Sequence, residues 1–253
     1  MLTIRTEQWN ALTQSGLIRF EDEMVQHLSG FAPELAKVMG EPRMHELVRL
    51  GIARGQAYGF TDCGPLRFYL ETMLALGSDF DTDAMLERAT EPLRNPPKEQ
   101  HARAAALYDG VRDYFEQVNG RRNEHALAAM QRIRVMSYED LPGGGDSSAR
   151  ALALFRGGFP QKYAYAGETA LRAVVARAQR ASVEYGARSE AAGLLLASVM
   201  FGFGHGATSD PAYTWIADTL RDASTPDAEQ RMQVLHRKTR LYLSSALKNL
   251  APG

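Results

Sequence analysis

The stretch that decides the fold runs from Gly40 to Asn95 and reads GEPRMHELVRLGIARGQAYGFTDCGPLRFYLETMLALGSDFDTDAMLERATEPLRN. Displaced by 127 positions, it aligns without a gap on the stretch from Gly167 to Asp222. Ten of the 56 aligned pairs are identical, whereas chance gives roughly three or four at ordinary residue frequencies. The identical pairs include Tyr58 with Tyr185, Met73 with Met200, Gly77 with Gly204 and Asp83 with Asp210. A period of this length indicates two diverged copies of one module, not a short-repeat solenoid.

The spacing of apolar residues is helical nearly throughout. It predicts helices over about residues 6–29, 33–40, 42–58, 61–77, 81–95 and 98–118, and the second copy repeats this plan to a final helix ending near 250. No segment alternates with the period of a strand. We therefore expect an all-α protein of two tandem, diverged multi-helix modules, at residues 1–120 and 121–253. Met73 and Met200 are expected in the two cores, and Gly51 and Gly55 are expected to let a neighbouring helix approach closely.

The opening helix of the second copy is interrupted. Pro142, Gly143, Gly144 and Gly145 fall where it should run, and a proline with three glycines cannot occupy a helix interior without a large cost. The sequence predicts a connecting helix at about 121–135, followed by a glycine-rich break at 142–145 that is flexible and open to proteases.

Bulk composition excludes several classes of protein. The net charge of −1 argues against a dedicated nucleic-acid binder, which usually has a basic face. Cys63 is the only cysteine, so the chain cannot form an internal disulfide or a thiolate metal cluster. The most apolar stretch, Leu194 to Phe203, is about half the length that a membrane span needs. With no apolar run after Met1, we expect no signal peptide and a cytoplasmic protein.

Two loops at aligned positions resemble ligand-binding motifs without completing them. The glycine-rich run from Gly202 to Ser209 could cradle phosphate, but it lacks the lysine of a phosphate-binding loop and follows a helix rather than a strand. Asp79, Asp81 and Asp83 alternate like the start of a calcium loop, but the required glycine and glutamate are missing. The sequence therefore favours a helix end and turn in the first case, and a helix N-cap at Asp81 or Asp83 in the second.

Other candidate chemistry is equally incomplete. The six histidines, His27, His45, His101, His125, His205 and His236, show no zinc-binding spacing. No nucleophile elbow occurs. Tyr58 and Tyr185 each precede a helix-ending glycine, where a tyrosine usually packs its ring inward. We therefore predict no catalytic, cofactor-binding or metal-binding residues, and no cofactor.

The first copy resembles a known group of proteins. The residues that carry the resemblance are Leu2 to Gln8, Ala57 to Phe60, Tyr69-Leu70 and Met73 to Asp83. This part of the chain, roughly residues 1–118, is similar to small helical proteins of unassigned activity encoded in bacterial type VI secretion clusters near spike and effector genes. The second copy keeps Tyr185-Gly186, Gly204 and Asp210 but replaces the acidic run by Gly206-Ala207-Thr208. The resemblance implies a cytoplasmic accessory protein that helps load an effector or its adaptor, and it implies no catalytic residues.

Three functions stay open at this point. The first is a non-enzymatic adaptor or co-chaperone that binds a protein partner through a helical face or groove, with one copy supplying most of the interface. The second is an enzyme or toxic effector domain with an unfamiliar site, which a cleft holding strongly perturbed titratable groups would favour. The third is an immunity protein, which would present a strongly charged face. Nothing in the sequence indicates binding to nucleic acid.

Overall fold

The structure is a computed structural model that describes residues 6–96, 99–138 and 146–250. These residues form twelve α-helices and no strand, as the periodicity predicts. The helices are α1 (Thr6–Phe31), α2 (Pro33–Met39), α3 (Glu41–Ala57), α4 (Cys63–Leu76), α5 (Glu91–Arg94), α6 (Gln100–Val118), α7 (Glu124–Val135), α8 (Ser147–Gly158), α9 (Pro160–Glu184), α10 (Glu190–Phe203), α11 (Thr214–Leu220) and α12 (Ala228–Leu250). Short 3₁₀ helices occupy Ala84–Leu86 and Pro211–Tyr213.

Helix bounds recur at the displacement found in the sequence. Helix α10 begins and ends 127 residues after α4, and the second 3₁₀ helix stands at the same distance from the first. A further recurrence lies inside α9, which is kinked at Gly167. The kink has φ 76° and ψ 157°, close to the φ of 76° and ψ of 159° at Gly40, the residue between α2 and α3. The same breaks in the chain thus occur at aligned positions in both halves.

One predicted helix is wrong. The segment 81–95 was expected to be continuous, but it forms the 3₁₀ helix at Ala84–Leu86 and the one-turn helix α5. Asp83 caps the first of these, since its carboxylate accepts a hydrogen bond from the backbone N–H of Met85. Pro92 lies in the first turn of α5, and a residue before a proline is steered away from helical geometry. The proline therefore starts a new helix instead of continuing the old one.

Two hydrophobic cores divide the chain, and each includes residues from the opposite half. The first core is built mainly from α1 to α6 but includes Tyr165 of α9 and Ala212. The second is built mainly from α8 to α12 but includes Met85. Residues 85 and 212 are aligned positions on the two 3₁₀ helices. Each core therefore contains a residue of the other half's 3₁₀ helix.

The packing predictions for individual residues are confirmed. Met73 and Met200 are both completely buried, one in each core. Helix α3 packs on α4, and a methyl group added to Gly55 would come within 2.8 Å of Leu66 Cδ2. One added to Gly51 would overlap Leu70. The glycines therefore set how closely these two helices approach.

Helices α7 and α8 lie on either side of the break that the sequence predicts. Helix α7, which matches the predicted connecting helix, packs along α12. At its end the Nε of Arg240 donates to the carbonyl of Arg134 over 2.7 Å, and the ring of Tyr138 contacts that of His236. The predicted flexible break at Pro142 to Gly145 lies outside the described residues.

Candidate functional site

Two aspartates join the halves through reciprocal hydrogen bonds. Asp83 Oδ2 accepts from the backbone N–H of His205 over 2.9 Å, and Asp210 Oδ2 accepts from the backbone N–H of Ser78 over 2.7 Å. Both carboxylates are buried. Each also caps its own 3₁₀ helix through Oδ1, and Asp210 accepts a further bond from the Ser78 hydroxyl. The N-cap predicted at Asp81 or Asp83 is therefore at Asp83, and it has a second role between the halves.

The loops that carry these aspartates touch through their glycines. Gly77 and Gly204 end α4 and α10 with φ of 99° and 102°, a region that residues with a side chain rarely adopt. A methyl group on Gly77 would lie 2.9 Å from the carbonyl oxygen of Phe203, and one on Gly204 would lie 3.3 Å from that of Leu76. Glycine is thus needed at both positions for conformation and for close approach. The expected helix end and turn at 202–209 is confirmed.

Asp79 and Asp81 of the first loop have no acidic counterpart in the second loop, and packing explains the difference at Asp79. Asp79 aligns with Gly206, and a methyl group on Gly206 would overlap the Asp79 carboxylate. The side chain of Asp79 is held by Arg54, whose Nη2 donates to Oδ1 over 2.6 Å. The loops at residues 77–83 and 204–210 meet at the contact between the halves, which we call the junction. Because positions 79 and 206 face each other there, a carboxylate at one position leaves no room for a side chain at the other.

Substitution of Gly206 by Ala should therefore destabilise the protein by about 1–3 kcal/mol, a usual cost of overpacking. In an Asp79→Ala background the added cost should fall below about 1 kcal/mol, because the overlapping group is gone. Urea unfolding of the four proteins in this double-mutant cycle measures the coupling. Gly202→Ala is the matched control, since no atom lies within 4 Å of a methyl group there. Equal costs of Gly206→Ala in both backgrounds would contradict the steric explanation.

Asp81 interacts with the side chains of Tyr69 and Tyr58 in the first half. The Tyr69 hydroxyl donates to Asp81 Oδ2 over 2.8 Å, and Arg54 Nη1 lies 3.8 Å from Oδ1. Burial, followed by the charge of Asp81, raises the pKa of Tyr58 to about 12, so this phenol stays protonated at neutral pH. At the aligned position the Tyr185 hydroxyl donates to the carbonyl of Thr208. Both tyrosines connect the end of one helix to the loop that follows the next helix, which agrees with the packing role predicted for them.

A cavity of about 420 Å³ lies where the two halves meet. Helices α6, α7, α8, α10 and α12 contribute most of its lining, which is largely apolar. Representative apolar side chains are Met130, Ile133, Phe155, Val199 and Leu243. The exposed residue Arg240 also belongs to the lining, so the cavity reaches the molecular surface. Its volume lies within the range of cavities that hold small organic ligands.

One lysine lies at this cavity. Lys162 of α9 is 8% exposed, and its Nζ donates to the carbonyl of Gly202 over a long 3.4 Å. The Nζ also lies 5.5 Å from the centre of the Phe201 ring. Burial lowers the pKa of Lys162 to about 8, although the negative charge of Asp83 opposes this shift.

Sequence reasoning missed Lys162, although the internal alignment contained a signal. The residue 127 positions earlier is Leu35, in helix α2, which packs against the first core. A lysine at a helix position where the aligned residue is apolar is either exposed to solvent or buried. Because burial of a charged group is costly, a buried lysine is a candidate binding residue. Extending the comparison of the two copies to α2 would have selected it.

A surface patch of aromatic residues covers neighbouring parts of α1, α4 and α6; we call it the aromatic patch. Its members are His27, Phe31, Phe68, Glu71 and Tyr108. Phe31 and Tyr108 are 51% and 52% exposed. The Phe68 and Tyr108 rings are in contact, as are those of His27 and Phe31. His27 Nε2 lies 2.6 Å from Glu71 Oε1, which ties the two pairs together. Exposed clusters of this kind are typical of protein-binding surfaces.

The histidines that the sequence analysis considered do not come together in one site. Four histidines have single polar partners, namely Glu71 for His27, Glu21 for His45, Asp62 for His101 and Thr82 for His205. In the part of the chain that the structure describes, no three His, Cys, Asp or Glu side chains are grouped so as to hold a metal ion. Within those same residues, no helix is both long and apolar enough to cross a bilayer.

The chain matches no protein-family model, no curated protein and no solved structure.

Proposed function

We propose that this protein is a non-enzymatic adaptor that binds an amphipathic helix of a partner protein on the aromatic patch. The observation that carries the proposal is the cluster of half-exposed aromatic side chains on α1, α4 and α6. We further propose that residues 1–120 and 121–253 are two diverged copies of one module. The recurring helix bounds, the reciprocal aspartates and the 3₁₀-helix residues in the opposite cores support this relation.

Helix α7 indicates what the patch would hold. In the second module α7 packs along α12, and its end contacts His236 and Arg240. Arg103 on α6 and Arg231 on α12 donate to the carbonyls of Tyr58 and Tyr185, so equivalent residues of these two helices stand 128 positions apart. The residues of α6 that correspond to His236 and Arg240 are then Tyr108 and Arg112, and both are exposed. The α6 surface corresponding to the face of α12 that α7 covers is thus open, and a helix is the element that fits there.

The charged side chains around the aromatic patch indicate which kind of helix would bind there. Asp109, Asp113 and Glu116 lie along the exposed side of α6, with Arg112 among them. Glu71 lies on the neighbouring turn of α4 and contacts Arg67 and His27. With more acidic than basic groups at its rim, this surface favours a helix that combines apolar anchors with lysine or arginine. Contact would then be asymmetric, because only the first module offers this face.

The setting of this activity follows from the resemblance of the first module to accessory proteins of type VI secretion. We propose that the partner is a secretion effector or its adaptor, and that binding takes place in the cytoplasm before the effector is loaded. A chaperone of this kind would cover an apolar helix until the effector reaches its final position. In that case the partner helix should be amphipathic and exposed when the effector is purified alone.

The test is quantitative co-purification from the source cell with tagged wild-type and variant proteins. A Phe31→Ser, Tyr108→Ser double variant should lose at least about 90% of a specific partner, because two aromatic anchors typically contribute more than 1 kcal/mol each. Leu241→Ser is the matched control, since Leu241 is 70% exposed on α12 and lies away from the patch. The partner lost from the double variant should then bind the purified wild-type protein. An unchanged partner set in the double variant would contradict the proposal and favour the enzyme hypothesis.

A further inference from the structure

We propose that the cavity between the two halves binds an aliphatic carboxylate, with the acyl chain among the apolar side chains and the carboxylate at Lys162. The site is separate from the aromatic patch, and its occupant is a small molecule. The observations that carry the inference are a volume of about 420 Å³, a largely apolar lining, and a single lysine that is 8% exposed.

The lysine is incompletely satisfied by the protein. An ammonium group has three N–H donors, and among the described residues its one hydrogen bond is the 3.4 Å contact with the Gly202 carbonyl. Burying a charged group without full hydrogen bonding is costly. A lysine that served only to fill space at this position could be a leucine, as it is at position 35. A ligand carboxylate would supply the missing acceptors through charge-assisted hydrogen bonds.

Asp83 does not take over that role. It also lines the cavity, but its two oxygens already accept from the N–H groups of Met85 and His205. Among the described residues, the ammonium of Lys162 donates to the Gly202 carbonyl and not to Asp83. Asp83 therefore offsets the lysine's charge from a distance and leaves the ammonium available to a ligand.

Apart from Lys162 and Asp83, the one arginine or acidic side chain that the described residues contribute to the lining is Arg240, which is exposed at the entrance. The titratable and charged groups of the cavity are Asp83, Tyr114, Lys162, Tyr213, His236, Arg240 and Tyr242. Burial raises the pKa of Tyr114, of Tyr213 and of Tyr242, so these phenols are neutral at physiological pH. Most of the lining offers only apolar contact, which suits an unbranched hydrocarbon chain. A chain that enters past Arg240 can thus reach Lys162 with its carboxylate.

Decanoate and decanol are the probes, since they share a chain and differ in the charged group. Binding to the full-length protein at pH 7 is measured by calorimetry and by the fluorescence of Trp215, which stacks on the cavity residue Tyr242. Decanoate should bind about tenfold more tightly than decanol, a ratio expected for one charge-assisted contact. Lys162→Met should abolish this ratio while leaving decanol binding unchanged or stronger. Lys37→Met, which removes an exposed lysine on α2, should keep the ratio.

A pH series adds a second readout. Because the pKa of Lys162 is lowered to about 8, the preference for decanoate should shrink as the pH rises from 7 to 9.5. Failure of both probes to bind would overturn the proposal. So would equal binding of acid and alcohol by the wild-type protein, or a decanoate preference that persists in Lys162→Met.

Discussion

Asp210→Ala should lower the free energy of unfolding by about 3–5 kcal/mol. The carboxylate accepts hydrogen bonds from the Ser78 N–H, the Ser78 hydroxyl and the Ala212 N–H, all in a buried region. Removing it leaves buried donors without an acceptor, each at about 1–3 kcal/mol. The loss also weakens the contact between the halves, so both cores should unfold together at a lower urea concentration. Asp83→Ala should also destabilise the protein, because Asp83 accepts the two equivalent backbone hydrogen bonds, from the N–H groups of His205 and Met85.

The control for this prediction is Asp146→Ala. Asp146 caps α8 by accepting from the Ser148 N–H over 2.9 Å, but it is exposed and makes no bond to the other half among those the structure describes. Loss of a cap alone costs about 1 kcal/mol. A cost for Asp210→Ala no larger than that for Asp146→Ala would show that the bond across the junction contributes nothing.

Lys162→Met should stabilise the protein at pH 7, by about 2–3 kcal/mol. Burial lowers the pKa of Lys162 to about 8, whereas lysine in an unfolded chain titrates near 10.4. Below pH 8 both states are protonated, and the native state bears the whole cost of burying the charge. Between about pH 8 and 10.4 the unfolded state binds the extra proton, so the stability of the wild-type protein rises with pH. Methionine has no charge to bury and fits an apolar lining.

The gain from Lys162→Met should therefore shrink toward pH 10. Urea unfolding of wild type and variant at pH 7, 8.5 and 10 measures the difference directly, and taking the difference cancels the titration of all other groups. Lys37→Met should leave the stability unchanged at each pH, because that side chain is exposed. A Lys162→Met protein less stable than wild type at pH 7 would mean that the attraction to Asp83 outweighs the cost of burial.

The sequence predicted the helical elements well because their signals are local. Apolar residues at helical spacing and the helix-ending glycines Gly40, Gly77 and Gly204 are properties of short segments. The error at 81–95 arose where local signals compete, since Asp83 and Pro92 each start a helix within a few residues. Met73 and Met200 could be predicted as core residues because each lies on an apolar stripe with helical spacing, and both are fully buried.

The junction could not be predicted in the same way. Asp83 and Asp210 are identical residues at aligned positions, but their partners, His205 and Ser78, are more than 120 residues away along the chain. A side chain that bonds across the halves looks in sequence like an ordinary helix cap. The change from Asp79 to Gly206 suggested divergent chemistry, whereas the structure shows that the two positions compete for one space. The cavity is lined by helices from both halves, so no single segment contains its pattern.

The most direct test of the proposed binding face is site-specific photo-crosslinking in the source cell. A photoreactive amino acid replaces Tyr108 in one protein and Leu241 in another, because both positions are more than half exposed and lie on helices. The account predicts a discrete crosslinked partner from position 108, mapped by mass spectrometry to an amphipathic helix, which disappears when Phe31→Ser is added. Position 241 should give no such product. The same crosslinked species from both positions, or a product at 108 that survives Phe31→Ser, would contradict the account.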